Sequence, residues 1–235
     1  MISKKWFWRA LGLSLVLAFT ASAAAAEDIS VTIRKSIQKI GKLGGNPKAT
    51  DADRKKMEEL YKQVIALGMN VPPVLEEVLS SKKSTVPEKK ASLYIAQHLY
   101  HTDKFDEVER KGTLLMKYCK IALKDASVDV RAQALEIAIG TWCSDTYSTA
   151  KEVFRNDPDP RLRVRALWKI AGYQMDDAKK TVRDAMGDPD PSVSKAAAEY
   201  QANYDSLDAA AAARKAAEPR KKPDPDRPLG GYGKG

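Results

Sequence analysis

The chain has 235 residues, 43% hydrophobic and 30% charged, with a formal net charge of +9 that is unevenly placed. Three basic residues fall in the first 26, and residues 214–235 carry seven basic against three acidic, so the part between is close to neutral and argues against a basic nucleic-acid surface on the folded body. Two cysteines and two histidines leave little material for a disulfide framework or a committed metal site.

Residues 1–26 open with Lys4, Lys5 and Arg9, run apolar from Leu11 to Phe19, and end in Ala24, Ala25 and Ala26 before Glu27. A basic start, a short apolar run and small residues at its end read as a secretory signal peptide cleaved at Glu27. An uncleaved anchor is the alternative, but the run is shorter than the roughly 20 residues that cross a bilayer. Export makes the mature chain periplasmic or secreted and removes it from nucleic acid.

Residues 27–84 read as a helical lead-in that caps the rest of the folded chain. Ile29, Ile33, Ile37 and Ile40 recur at helical spacing before Gly44 and Gly45. A second helix starts near Asp51, with Met57, Leu60, Tyr61, Val64 and Ile65 on one face and Gly68 as its stop. A third follows Pro72 and Pro73. Thr85-Val86-Pro87-Glu88 is a capping box that launches a helix to about His101, and an amphipathic segment runs from Lys104 to Lys124. Matching Ala91 to Ala134, 43 residues apart, makes this pair a divergent first repeat of a domain spanning 85–218.

From Asp125 to Ala198 one pattern appears three times. It reads Ser127-Val128-Asp129-Val130-Arg131, then Asp159-Pro160-Arg161-Leu162-Arg163, then Asp190-Pro191-Ser192-Val193-Ser194, and the copies are 32 and 31 residues apart. Self-matching at that period marks stacked supersecondary units. Each copy opens on a side chain able to accept a hydrogen bond from a helix start (Ser127, Asp159 or Asp190). Proline follows at the first helical position in two copies, where its missing N–H costs nothing. At about 100° per residue, Val130, Leu162 and Val193 share one apolar face with the small row Ala134, Ala166, Ala197 and with Leu135, Leu167 and Ala198. Return helices are expected near 146–155 and 175–186. The last helix runs on from Pro191 through the alanines before 217, and Pro219 ends it. Residues 219–235 have a composition that cannot bury enough apolar surface to order alone.

The Asp-Pro start, the Val130-Arg131 and Leu162-Arg163 steps and the Ala-Leu that comes after them resemble the HEAT-repeat family, specifically the short bacterial HEAT-like units also found in phycobilisome-lyase-type proteins. The resemblance covers about a third of the chain. It implies an all-α, right-handed HEAT-like superhelix (solenoid). It also implies structural roles for Arg131 and Arg163, because in the family this arginine ties one repeat to its neighbour. Ser194 stands there in the last copy, so the ladder is expected to stop.

Chemistry-bearing residues are sparse. His98 and His101, three apart on a helix with Asp103 and Asp106 beyond, fall short of a zinc ligand set, so no metal and no cofactor are expected. G-x-S-x-G, P-loop, H-E-x-x-H and C-x-x-C patterns are absent, and no catalytic residue is named. Helix rise places Cys119 and Cys143 about 13 Å apart along antiparallel helices. That exceeds the roughly 7 Å limit for a bridge, so both are expected free. One aromatic is out of pattern: Trp168 stands where the other copies have Glu136 and Glu199. It marks a candidate binding face, with Trp142, Tyr147 and Tyr173 near repeat edges as companions; the alternative is that it packs on a neighbouring loop.

The expectation is an exported, non-catalytic HEAT-like scaffold that binds a protein partner, since stacked helix pairs expose a long surface without a deep pocket. Two alternatives stand beside it. One is an enzyme or enzyme accessory of the HEAT-like lyase type; the other is an envelope-surface binder whose basic tail makes weak contact with anionic surfaces.

Overall fold

A computed structural model describes residues 27–101, 108–141 and 143–217. The expected signal peptide at 1–26, the tail at 219–235, Trp142, Asp103 and Asp106 lie outside the described residues.

Among the described residues every regular element is a helix. After α1 (27–44) come α2 (Asp51–Ala66), a 3-10 turn (Gly68–Asn70), α3 (Val71–Ser80), α4 (Val86–Tyr100) and α5 (Val108–Ala122). They are succeeded by α6 (Val128–Gly140), α7 (Asp145–Asn156), α8 (Pro160–Ala171), α9 (Asp176–Ala185) and α10 (Pro191–Ala217). The three repeated helices thus start directly after Ser127, Asp159 and Asp190, where the repeated pattern places them. No helix among the described residues is long and apolar enough to cross a membrane. The chain divides after Gly172 into two compact units.

In the first unit the helices alternate between two layers. Helix α4 packs on α2 and α6, and α6 on α8; α5 packs on α3 and α7. The alternation therefore extends to α2 and α3, whose sequences show no repeat register. The predicted faces supply the core: Ile33, Ile37 and Ile40 of α1 and Val130, Ala134, Leu135, Ala166, Leu167 and Ile170 of the repeats are all buried. Ala134 and Ala166 have no exposure, so their methyl-sized side chains let neighbouring helices come close.

Two glycines are set by geometry. Gly68 takes a positive φ of 57°, which stops α2 as its position predicts. At Gly41 an added Cβ would lie 3.0 Å from the backbone of Pro87 and Glu88, so only glycine lets α1 approach the start of α4 this closely. That start is capped as expected: the Thr85 hydroxyl accepts from the Glu88 N–H, and the Glu88 carboxylate accepts from the Thr85 N–H at 2.7 Å.

The register of the divergent first repeat needs correction. Superposing the caps Thr85 and Ser127 gives 42 residues, not 43. Leu93, Ile95 and Ala96 then match Leu135, Ile137 and Ala138, and all six are buried. Ser92, with no exposed surface, takes the place of Ala134.

In the second unit α9 and α10 pack together, burying Ala178, Val182, Ala185, Val193, Ala197 and Tyr204. The Tyr204 hydroxyl donates to the Tyr173 carbonyl at 3.0 Å. Ala198 is exposed rather than on the buried face, since no later hairpin among the described residues covers that side of α10. Residues 205–217 are exposed all round and are helical through alanine propensity rather than packing.

Candidate interaction site

Each repeat turn is built by an aspartate two residues before the cap, at a position that reads from sequence as plain loop. Asp125, Asp157 and Asp188 accept from the N–H of Ser127, Asp159 and Asp190 at 2.8, 2.9 and 2.9 Å. Asp159 and Asp190 then cap their helices, accepting from the Arg161 and Ser192 N–H at 2.9 Å each. The Arg161 guanidinium beside Asp159 holds its carboxyl down at about 2. Ser127 does not cap, contrary to expectation: its side chain makes no cap bond, and the turn is closed by Asp125 instead.

Arg131 ties two such turns together. Its Nη1 donates to the Asp125 and Ala126 carbonyls of its own turn at 3.1 Å each. Its Nε and Nη2 donate to both oxygens of Asp157 in the next turn at 2.9 and 3.1 Å. The side chains are 10% and 4% exposed, a bidentate pair of the strong kind. Arg163 repeats the own-turn half, donating to the Asp157 and Pro158 carbonyls at 3.2 and 3.4 Å. At the matching position of α4 stands Lys89, which a 43-residue register does not align with the arginines. Its Nζ donates to Asp125 at 2.5 Å, with both side chains 10% exposed. A cation at cap-plus-four on an aspartate of the following turn thus joins α4 to the α6 turn and α6 to the α8 turn.

The outward face carries the aromatic contrast. Trp168 is 48% exposed, so its register position faces water, as the exposed Glu136 and Glu199 do. The corrected register adds Tyr94, 39% exposed, at the same position of α4. The outward place on α4, α6 and α8 therefore reads Tyr94, Glu136, Trp168. Arg165 connects the last two: it donates to both Glu136 oxygens at 2.6 and 2.7 Å, while its guanidinium lies 4.2 Å from the Trp168 ring. Tyr94 packs against Tyr61 and His98 with ring centroids 4.7 and 4.2 Å away. His98 is thereby placed in an aromatic cluster, its Nδ1 3.0 Å from the Tyr94 carbonyl.

The other candidates lie elsewhere. Tyr147, on α7, is half-buried with Lys151 5.5 Å from its ring. Tyr173, in the second unit, serves Tyr204 through its carbonyl. Among the described residues no group of three His, Cys, Asp or Glu is placed to hold a metal ion. Cys119 and Cys143 are free thiols; burial, and secondarily the neighbouring Cys143 thiol, push Cys119 up to about 12.

A family model described as HEAT repeats matches residues 147–224, from α7 to beyond α10. Over that third of its length the chain is similar to HEAT repeats, helical repeats that commonly mediate protein–protein interaction, and the two-layer alternation and the repeated aspartate turns agree with that likeness. No curated protein matches the chain.

Proposed function

We propose that this chain is an exported, non-catalytic scaffold that docks a protein partner on the outward face centred on Trp168. The observation that carries this reading is Trp168 itself: a large aromatic, half exposed, at a place where α6 and α10 have glutamate, with Arg165 held across its ring by Glu136. Tryptophan and arginine are the side chains that anchor protein interfaces, and a pre-positioned pair loses little entropy on binding. Tyr94 supplies a second aromatic in the same register, with Glu136 between them. The Lys4-to-Ala26 segment supports export to the envelope, and the mature chain is expected to begin at Glu27. N-terminal sequencing of secreted protein checks this, and finding Met1 retained rejects it.

Trp168→Glu gives α8 the glutamate that α6 and α10 carry. The exposed position should leave stability within about 0.5 kcal/mol of wild type, while a partner captured from an envelope extract by the wild-type chain should be lost. A large fall in melting temperature would instead make Trp168 a packing residue and remove the proposed face.

A further inference from the structure

At the edge of the first unit, the turn from α3 into α4, the C-terminal half of α5 and the start of α6 surround a cavity of about 1070 Å³. Five lysines line it against two carboxylates, Asp125 and Asp145. One of them, Lys89, is committed to Asp125 in the buried pair described above. The other four are available. Lys117 and Lys120 reach Glu76 and Asp145 at 2.7 Å, but these pairs are exposed, with side-chain exposures from 43% to 52%. Solvent-screened pairs of this kind hold their partners weakly. Lys82 and Lys124 are exposed and meet no carboxylate among the described residues. Leu79 and Ile121 add apolar wall between the charges. A second hollow of about 340 Å³ shares Lys120, Lys124 and Asp125, but Glu152 and Asp157 also line it, so the excess positive charge belongs to the larger cavity.

We infer that this cavity receives an extended acidic peptide segment of a partner protein. Its carboxylates sit against Lys82, Lys117, Lys120 and Lys124, and an apolar side chain rests on Leu79 and Ile121. The charge selects an anion, whereas the size of the larger cavity and its apolar wall of Leu79 and Ile121 select a chain over a single small anion. The protein's own undescribed ends do not suit it, since Lys4, Lys5 and Arg9 at one end and Arg220, Lys221 and Lys222 at the other carry the same sign as the cavity. The inference goes beyond the Trp168 face and does not depend on it.

The test uses the mature full-length chain and a fluorescein-labelled peptide of Glu, Asp and Leu, read by anisotropy. Lys82→Ala/Lys124→Ala should weaken binding on the order of tenfold, about the effect of losing one good charged contact. Lys55→Ala/Lys56→Ala, which removes the same charge from exposed positions of α2, should change it less than about twofold. Trp168→Glu should leave it unchanged, so failure of the aromatic face and failure of the cavity are told apart. Equal losses in the two lysine pairs would overturn the inference, leaving only general attraction. So would absent binding, or complete displacement by millimolar inorganic phosphate, which marks a small-anion site. Phosphatidylglycerol vesicles that bind wild type and release the cavity variant would assign the lysines to a membrane surface and overturn it equally.

Discussion

Arg131→Ala is expected to destabilise the first unit by about 3 to 5 kcal/mol, the usual cost of removing one partner from a buried ion pair. The reason lies in what the substitution leaves behind. Asp157 is 4% exposed and takes two hydrogen bonds from the guanidinium, and the Asp125 and Ala126 carbonyls take two more. Without the arginine a nearly dry carboxylate keeps the Asp159 N–H as its remaining donor. Arg131→Lys keeps the charge but cannot span both turns with a planar fork, so it should fall between wild type and alanine. Urea denaturation at neutral pH reads both variants. A loss below about 1 kcal/mol for the alanine variant, the range of exposed pairs, would mean that this bridge does not hold consecutive turns together.

Lys89→Ala should cost about 2 kcal/mol, the scale of one hydrogen bond to a charged group, and should also change the response to acid. Asp125 keeps its bond from the Ser127 N–H in this variant, so the loss is smaller than at Arg131. In the wild type, burial acts to raise the Asp125 carboxyl. The Lys89 hydrogen bond, the Ser127 N–H and the charges of Lys89 and Arg131 together outweigh burial and hold the carboxyl below its ordinary 3.8. A carboxyl depressed in the folded state contributes stability that is present above its unfolded value, near 3.9, and lost as pH falls through the lower folded value. Removing Lys89 takes away the largest depressing influence and leaves burial in place, so the stability that Asp125 contributes above its unfolded value is already missing at neutral pH, and the less stable variant should reach its acid transition at higher pH than the wild type. Circular dichroism recorded from neutral pH downward checks this. Coincident acid transitions would show that the Lys89–Asp125 pair does not contribute to the acid stability of this turn.

What the sequence discloses depends on whether a residue's role is local. The starts of α6, α8 and α10 are legible because Ser127, Asp159 and Asp190 stand before β-branched or proline first positions, a signal contained in a few residues. The outward direction of Trp168 is legible for the same reason, since its angle on the helix comes from counting. Asp157 is not legible in this way. Its two tasks, closing its own turn and receiving Arg131 from 26 residues earlier, become visible only when two turns lie side by side. Lys89 is hidden because a one-residue offset in matching the first repeat moves it off the cation position, and the same offset hides Tyr94 from the row that contains Trp168. The cavity lysines are separated in sequence by as many as 42 residues and share no motif, so folding alone brings Lys82 and Lys124 to one cavity. In α2 and α3 the alternation survives without the aspartate turns, leaving hydrophobic spacing that any amphipathic helix would show.

Site-specific photocrosslinking tests the proposed interaction face most directly. A benzophenone amino acid at position 168 of the full-length chain, irradiated in an envelope extract, should give one discrete protein adduct. The same probe at position 55, on the exposed side of α2, should give none. A discrete adduct at 168 that disappears when unlabelled wild-type chain is added in excess is the predicted result. No adduct at 168, or adducts of equal yield at both positions, would contradict docking on the Trp168 face.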